Sequence, residues 1–263
     1  TAQGKRMIPR VYFPRTLEPG ENLELPADQS RYLRNVLRLR AGDAVTLFDG
    51  RGFEYSAVLT EPGGRRAQLR VSAKKRIIEE AVPRITLAQA LPKGAKFDWI
   101  VQKATELGVA RILPFTSARS IPKIPENRGE QKLGRWRKIA AEAAEQCGRS
   151  DVPDVPGILS FEAVMGQALP GRLNIIFWEA ESERSLREIL GGNSIGIEDV
   201  FAVVGPEGGF TPQEIDRARA AGFVTASLGS RVLRVETAAL AVLAILQFAL
   251  GGSYQLNGTK SKG

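Results

Sequence analysis

Two stretches near the C-terminus constrain this chain more than any others: AVVGPEGGF at 202–210 and SLGSRVLRVETA at 227–238. Each passes from an apolar, strand-like run into a glycine-containing loop and then into a helix start. Loops of this kind, about twenty residues apart, can converge on one ligand at the ends of neighbouring strands, where open α/β sheets bind their ligands. The first loop runs straight into a well-marked helix N-terminus. Thr211 is placed to cap, Pro212 suits the first helical position, and Glu214 completes a capping box. Gly222 then ends that helix with Phe223 behind it. A tight strand-to-helix turn would account for the glycines of 205–209, but not for an acidic Glu207 held among them.

Patterning extends the α/β reading upstream. From 85 onward, strand-like runs (85–90, 109–115, 174–178, 201–204, 224–228) alternate with helical ones (97–107, 135–147), which predicts a mostly parallel sheet of about five strands. Gly108 ends the first of these helices. The polar segment 122–134 reads as an exposed loop. The final helix, AALAVLAILQFAL, is apolar almost all round, so burial on most faces is expected, either as an ordinary core helix or in part against a second subunit. Before residue 79 the pattern differs. Short runs at 10–13, 22–25, 44–48, 53–60 and 66–76 predict a small β-barrel, with a hairpin turn at Asp49-Gly50-Arg51-Gly52. One helix interrupts it at 28–38, with Tyr32, Leu33, Val36 and Leu37 on one face and Arg31, Arg34 and Arg38 on another. The expected division is 1–80, 81–252 and a mobile tail at 253–263, with the boundary at 79–83.

Composition excludes several chemistries. The chain of 263 residues has no histidine and one cysteine, Cys147. Ser-His and Cys-His nucleophilic pairs are therefore ruled out, and a zinc site is not expected. A single cysteine permits no intrachain disulfide and fits a reducing cytoplasm; Cys147, late in an amphipathic helix, reads as a packing residue. The longest apolar run, 238–250, is too short to span a bilayer, and the run at 7–13 is too interrupted for a signal peptide, so no membrane association is expected. Of the net charge of +8, residues 1–84 hold +6, with sixteen Lys and Arg against ten Asp and Glu. A basic N-terminal third on a near-neutral remainder suggests a polyanion-binding module. No Walker A sequence occurs, and no Gly-x-Gly loop follows the first strand of the α/β part, so neither nucleotide hydrolysis nor a Rossmann-type cofactor site is expected.

Further segments join the two C-terminal loops: PRVYFP (9–14), YLRNVLRLRAGDAVTLFDGRG (32–52), QKATELGVARILPF (102–115) and RWRKIAAEAAEQCGRSDVP (135–153). In this order the chain resembles the SPOUT class of S-adenosylmethionine (SAM)-dependent RNA methyltransferases. Within it, the chain is similar to the RsmE-like family, which methylates N3 of a uridine in 16S ribosomal RNA of the small ribosomal subunit. The resemblance implies a PUA-like RNA-binding β-barrel followed by an α/β domain tied into a trefoil knot, with SAM bent into the knot near 177–240, and a homodimer. It places SAM among Trp178 and Glu179, Val204, Gly205, Glu207, Gly208 and Gly209, and Leu228, Gly229, Ser230, Val232, Leu233, Arg234 and Thr237. RNA contacts are expected from Arg10, Arg31, Arg34, Arg38, Lys103 and Arg149. Family members commonly carry histidine before the VLR segment, where this chain reads Gln29-Ser30-Arg31-Tyr32. Other readings of the same class and of a different one are a ribose 2′-hydroxyl methyltransferase and a non-catalytic ribosome-assembly factor.

Methylating uridine N3 requires loss of the N3 proton, since the neutral imide nitrogen has no lone pair free in the ring plane. With no histidine, the candidates are few. Arg234, a permanent cation in the second loop, is expected to steady the developing anion, and Glu207 and Glu236 are candidates for base or for ordering loop backbone. A valine at Gly229 is expected to block SAM while leaving the fold intact.

Overall fold

A computed structural model describes residues 8–63, 66–77, 83–120, 126–191 and 197–251. Residues 79–82 of the boundary expected at 79–83, and the tail from 253, lie outside the described residues. The chain divides into two compact units. The first is Thr1–Ile78 together with Ala140–Val152; the second is Glu79–Ile139 with Pro153–Gly263.

The first unit is built on a five-stranded mixed sheet of half-barrel type. Its strands are β1 (Arg10–Tyr12), β2 (Asn22–Glu24), β3 (Ala44–Phe48), β4 (Phe53–Glu61) and β5 (Gln68–Arg76), in the order β1-β3-β4-β5-β2. Only the β1–β3 pair is parallel. Alternate residues Val45, Leu47, Tyr55, Ala57, Leu59, Leu69 and Val71 turn inward and meet Leu17, Leu25 and Leu33 in one core. The β3–β4 turn closes on Asp49, whose carboxylate accepts from Arg51 N at 2.8 Å, Phe53 N at 3.2 Å and the Tyr55 hydroxyl at 3.1 Å. Gly50 and Gly52 supply the positive φ, 76° and 89°, that this turn needs.

The helix expected at 28–38 departs from the reading. α1 (Ala27–Arg31) is followed by a π-helical turn, Tyr32–Val36, in which Leu37 N donates to Tyr32 O at 3.1 Å. Leu33 is buried and Leu37 half-buried, but Tyr32 and Val36 are exposed, so the four apolar residues do not share one buried face.

The second unit is a six-stranded sheet, every neighbouring pair parallel, in the order β11-β9-β10-β6-β7-β8. Its strands are β6 (Arg84–Ala90), β7 (Arg111–Thr116), β8 (Leu159–Ser160), β9 (Leu173–Phe177), β10 (Asp199–Val204) and β11 (Val224–Ala226). The additional strand over the expected five is the two-residue β8, too short to leave a periodic signal. Helices α2 (Lys96–Glu106), α3 (Glu126–Cys147), α4 (Phe161–Met165), α5 (Leu186–Gly191), α6 (Pro212–Ala220) and α7 (Val235–Leu250) complete the chain.

Strand order in this sheet does not follow the chain. From β10 the chain passes back over β9 to reach β11, then returns as α7, which packs on β10, β6 and α2. The α/β class and the order of a PUA-like sheet before a SPOUT-type domain are as expected.

Three helix expectations are corrected. α3 begins at Glu126, so 126–134 is helix rather than loop; Leu133, Trp136 and Ala140 give it a buried stripe, and Gly129 and Gly134 face open space where glycine is tolerated. Cys147 is exposed at the end of α3 and is not a packing residue. α7 buries only one face, Val235, Ala239, Val242, Leu243 and Leu246, while Ile245 and Phe248 stand out, the latter 91% exposed.

Candidate functional site

The parallel register sets Gln89, Val204, Phe177 and Ala226 level with one another. Four chain segments therefore leave the same sheet edge together: 91–95, 178–185, 205–210 and 227–234. At such an edge loops, not strands, present the functional groups.

The loops are laced to one another. Trp178 N donates to Ala226 O at 3.0 Å, Leu186 N to Ser227 O at 3.1 Å, and Ser227 N to Arg184 O at 2.9 Å. Buried Glu181 holds the first loop from inside, accepting from Glu183 N at 2.8 Å and Arg184 N at 3.3 Å, with Arg219 3.4 Å away. The Thr225 hydroxyl, outweighing the cost of burial, and then these N–H groups and Arg219 hold its carboxyl below the usual carboxylate range. Arg219 also lies over the Trp178 ring, 5.8 Å from its centroid.

The 205–210 loop is anchored by Phe210, which is buried against Phe115 and Phe161 with centroids 6.5 and 5.9 Å away. Gly205 suits this packing, since a Cβ there would sit 3.0 Å from the Phe210 ring and the ring would have to give by a few tenths of an ångström. Gly209 has φ 65° and lies beneath Glu179: a Cβ would fall 1.9 Å from its Oε1. The capping box beyond the loop forms as expected. Thr211 Oγ1 accepts from Glu214 N at 3.2 Å, and Glu214 Oε2 accepts from Thr211 N at 2.8 Å. The other Glu214 oxygen accepts from Ala118 N at 2.9 Å, tying in the segment after β7, where Arg119 donates to Gly208 O at 2.9 Å.

In the 227–234 loop Gly229 has φ +106° and nothing within 4 Å of a built Cβ. The space is open, but the backbone conformation is one that side-chain-bearing residues rarely adopt. A valine at Gly229 would therefore strain the loop, contrary to the expectation that it leaves the fold intact. Leu228 and Leu233 are half-buried; Ser230, Val232 and Arg234 are exposed. Arg234 is the N-cap residue of α7, which puts Glu236 and Thr237 in the first turn.

Two of the three candidate catalytic residues meet at a residue the sequence reading missed. Lys96, at the start of α2, places Nζ 2.9 Å from Glu207 Oε1 and 3.7 Å from Glu236 Oε2. Glu207 also accepts from Lys93 N at 3.2 Å. Partial burial pushes the Glu207 carboxyl up, but the Lys96 and Lys93 contacts outweigh it and hold it below the usual carboxylate range. The same bond to Glu207 raises the Lys96 ammonium. The Glu236 Oε2 that faces Lys96 across 3.7 Å is itself buried and has no hydrogen-bond partner among the described residues, and the same holds for Oε1 of Gln89. The signal that could have found Lys96 is a lysine pair in the loop after the first strand of the α/β part, facing an acidic loop residue.

The expected RNA contacts divide. Arg31 and Arg38 are exposed and Arg34 is half-buried. Arg10 is instead committed inside the first unit, to Glu54 at 2.6 Å and Arg149 O at 3.0 Å. Arg149, expected with the α/β part, belongs to the first unit, and its largely buried guanidinium engages Asp151. Lys103 pairs with Glu106 at 2.8 Å. Of the tryptophans, Trp136 is buried with its indole N–H on Asp98 at 3.0 Å, while Trp99 is 43% exposed.

This site and topology place the chain among RNA methyltransferases: the RNA methyltransferase domain family matches residues 79–247, and the RNA methyltransferase PUA domain family matches 25–72. More narrowly, the chain belongs to the ribosomal RNA small subunit methyltransferase E family. It is 32% identical over 237 residues to the Bacillus subtilis member, spanning 88% of this chain and 92% of that one. Identity to the Synechocystis member is 37% over 221 residues, 84% of this chain and 71% of that one. The crystal structure of the Neisseria gonorrhoeae ribosomal RNA small subunit methyltransferase E bound to SAM superimposes with a TM-score of 0.82 at 36% identity, covering 92% of this chain and 97% of that one. A Legionella pneumophila methyltransferase structure with bound SAM gives a TM-score of 0.84 at 34% identity, covering 92% of this chain and 98% of that one.

Proposed function

We propose that this protein transfers a methyl group from SAM to N3 of a uridine in 16S ribosomal RNA. The observation that carries the reading is the lacing of the 178–185 loop to the start of the 227–234 loop at the sheet edge from which the 205–210 loop also leaves, in a chain of this family. The residues fit SAM. The positive-φ Gly229 lets main chain approach closely, Leu228, Val232 and Leu233 offer apolar surface, and Trp178, Glu179, Val204, Gly205, Gly208, Gly209, Ser230 and Thr237 border the same edge.

SAM supplies an electrophilic methyl group when bound, so the chain's own task is to position the base and manage the N3 proton. Arg234, exposed and in no ion pair among the described residues, is placed to steady the uracil anion at its carbonyl oxygens. Glu207 is already held ionised by Lys96 and Lys93 and is a weak base; its role is to order the loop. Glu236, farther from Lys96 at 3.7 Å and with that oxygen in no hydrogen bond, carries the base assignment. Arg31, Arg34 and Arg38 in the first unit carry phosphate contacts. The exposed Ile245 and Phe248 of α7 support a homodimer formed through that helix. No helix among the described residues is long and apolar enough to cross a membrane, which suits work on ribosomal RNA in the cytoplasm.

The test is methyl transfer from labelled SAM to 16S ribosomal RNA and to small subunits, with mass mapping of the modified nucleoside. 3-Methyluridine supports the reading. A 2′-O-methyl nucleoside would redirect it, and SAM binding without transfer to either substrate would overturn it.

A further inference from the structure

Residues 30–40 lie in the first unit, and the role inferred for them rests on the reading that the protein binds RNA. Ser30 through Arg40 hold three features that share no structural explanation. An α-helical stripe of Tyr32, Leu33, Val36 and Leu37 would ordinarily turn inward together. The π-turn instead leaves Tyr32 45% and Val36 64% exposed, while Leu33 is buried. π-Turns of this length are rare and concentrate at functional positions.

The second feature is Arg38. At φ 53° it is the one non-glycine residue with positive φ among the described residues. It ends the turn, with Leu39 N returning to Leu33 O at 3.0 Å. A turn-ending position of this kind is filled at least cost by glycine. An arginine held there keeps its cation at the expense of backbone comfort. The third feature is charge. Arg31, Arg38 and Arg40, close in the chain to Tyr32 and Val36, are exposed, and Arg31 and Arg38 have no carboxylate partner among the described residues. An apolar strip framed by cations matches an unpaired, negatively charged strand. It does not match an apolar protein face, which would leave the guanidinium groups desolvated without partners.

We infer that the 32–38 turn is a stacking platform for an unpaired RNA base. Tyr32 presents its ring to the base, Val36 extends the apolar surface, and Arg31 and Arg38 hold the flanking phosphates. The platform selects single-stranded over duplex RNA, because only an unpaired base can leave its neighbours to lie on a side chain.

The experiment is fluorescence anisotropy of the full chain with a labelled single-stranded RNA from 16S ribosomal RNA and with the same RNA annealed to its complement, over a salt series. Tyr32→Ala should weaken single-strand binding about 10-fold with an unchanged salt slope and leave duplex binding nearly unaltered. Tyr32→Phe should bind as the wild type does. Arg38→Gly, which suits the positive φ, should keep or raise thermal stability while lowering the salt slope by about one.

Wild-type affinity in Tyr32→Ala would overturn the platform. So would equal losses on duplex and single strand, or a shift in sedimenting mass with RNA affinity intact, which would mark a protein contact. If the wild type binds RNA but fails to yield 3-methyluridine, the catalytic reading falls while the ratio of variant to wild-type affinities still decides the platform. Arg38→Gly with full RNA affinity would remove Arg38 from it.

Discussion

Lys96 Nζ stands 2.9 Å from Glu207 Oε1, so an ammonium at the start of α2 neutralises the one acidic residue in the glycine-rich loop after β10. The same ammonium is 3.7 Å from Glu236, which makes one lysine the shared partner of carboxylates from a loop and from the first turn of α7. Replacing it by methionine should therefore change the site more than the fold. Lys96→Met is expected to lower methyl transfer while its melting temperature stays close to wild type, because exposed pairs contribute little to stability. The Glu207 carboxyl is held low in the wild type; without Lys96 it should rise toward its ordinary value. Any acid limb of kcat/KM that depends on ionised Glu207 should then move to higher pH, which a pH–rate profile of both proteins will read.

Arg234 is expected to act in turnover. Arg234→Lys keeps the charge but loses the planar two-pronged donor, and should lower kcat more than it raises KM for SAM or RNA. Arg234→Ala should lose about 10²-fold in kcat, the size seen on removing one anion-stabilising donor. Steady-state kinetics with calorimetry for SAM decides the matter: normal turnover, or weakened binding alone, withdraws the assignment.

Gly229→Ala should cost about 1–2 kcal/mol of stability, since a side chain must enter a positive-φ conformation, although the space itself is empty. SAM affinity should fall as well, because the main chain can no longer sit as it does. Denaturant melts and calorimetry give the two numbers separately. An alanine variant of wild-type stability and affinity would show the loop to be pliable and Gly229 dispensable.

At Gly209 the obstacle is a neighbour. A Cβ would meet the Glu179 carboxylate, the tip of an exposed side chain. Gly209→Ala should therefore displace Glu179, and Glu179→Ala in the same chain should recover the steric part of the loss while leaving the part due to φ 65°. A double-mutant cycle on thermal stability checks this; strictly additive effects would show that the two residues do not interact.

Glu181 is the buried carboxylate of the site. Its folded-state pKa is depressed, so its contribution is present above the unfolded value and is lost as pH falls through the folded one. Glu181→Gln should cost about 1–3 kcal/mol near neutral pH, where a charged acceptor of two backbone N–H groups is replaced by a neutral one. The gap should close below the ordinary carboxylate range. Urea unfolding at pH 7 and again in acid tests the sign, and a gap that widens in acid would contradict it.

Much of the fold follows from local chemistry and was legible as such. The capping box at Thr211 and Glu214, the glycine stops at Gly108 and Gly222, and the Asp49–Gly52 turn each involve residues within a few positions of one another, where side-chain type alone limits the backbone. Alternation marked β3 and β4, because one face of each strand must be buried. Glycine content and order also located the two loops, while their place beside each other depended on β9 standing between β10 and β11.

Tertiary structure decided what depends on distant partners. That Lys96 serves Glu207 and Glu236 follows from packing that joins residues over a hundred positions apart, and periodicity carries no trace of it. Arg10 and Arg149 look alike as surface cations in sequence, yet both are committed within the first unit, to Glu54 and Asp151, because a guanidinium's role is set by the nearest carboxylate in space. The polar stretch 126–134 became helix once Leu133 and Trp136 found a core to enter, and the apolar α7 kept an exposed face because one sheet can cover only one side of a helix. Sequence by itself set the local turns, caps and class of chemistry; long-range packing chose which charges meet, since that choice is made by spatial neighbours that no local pattern records.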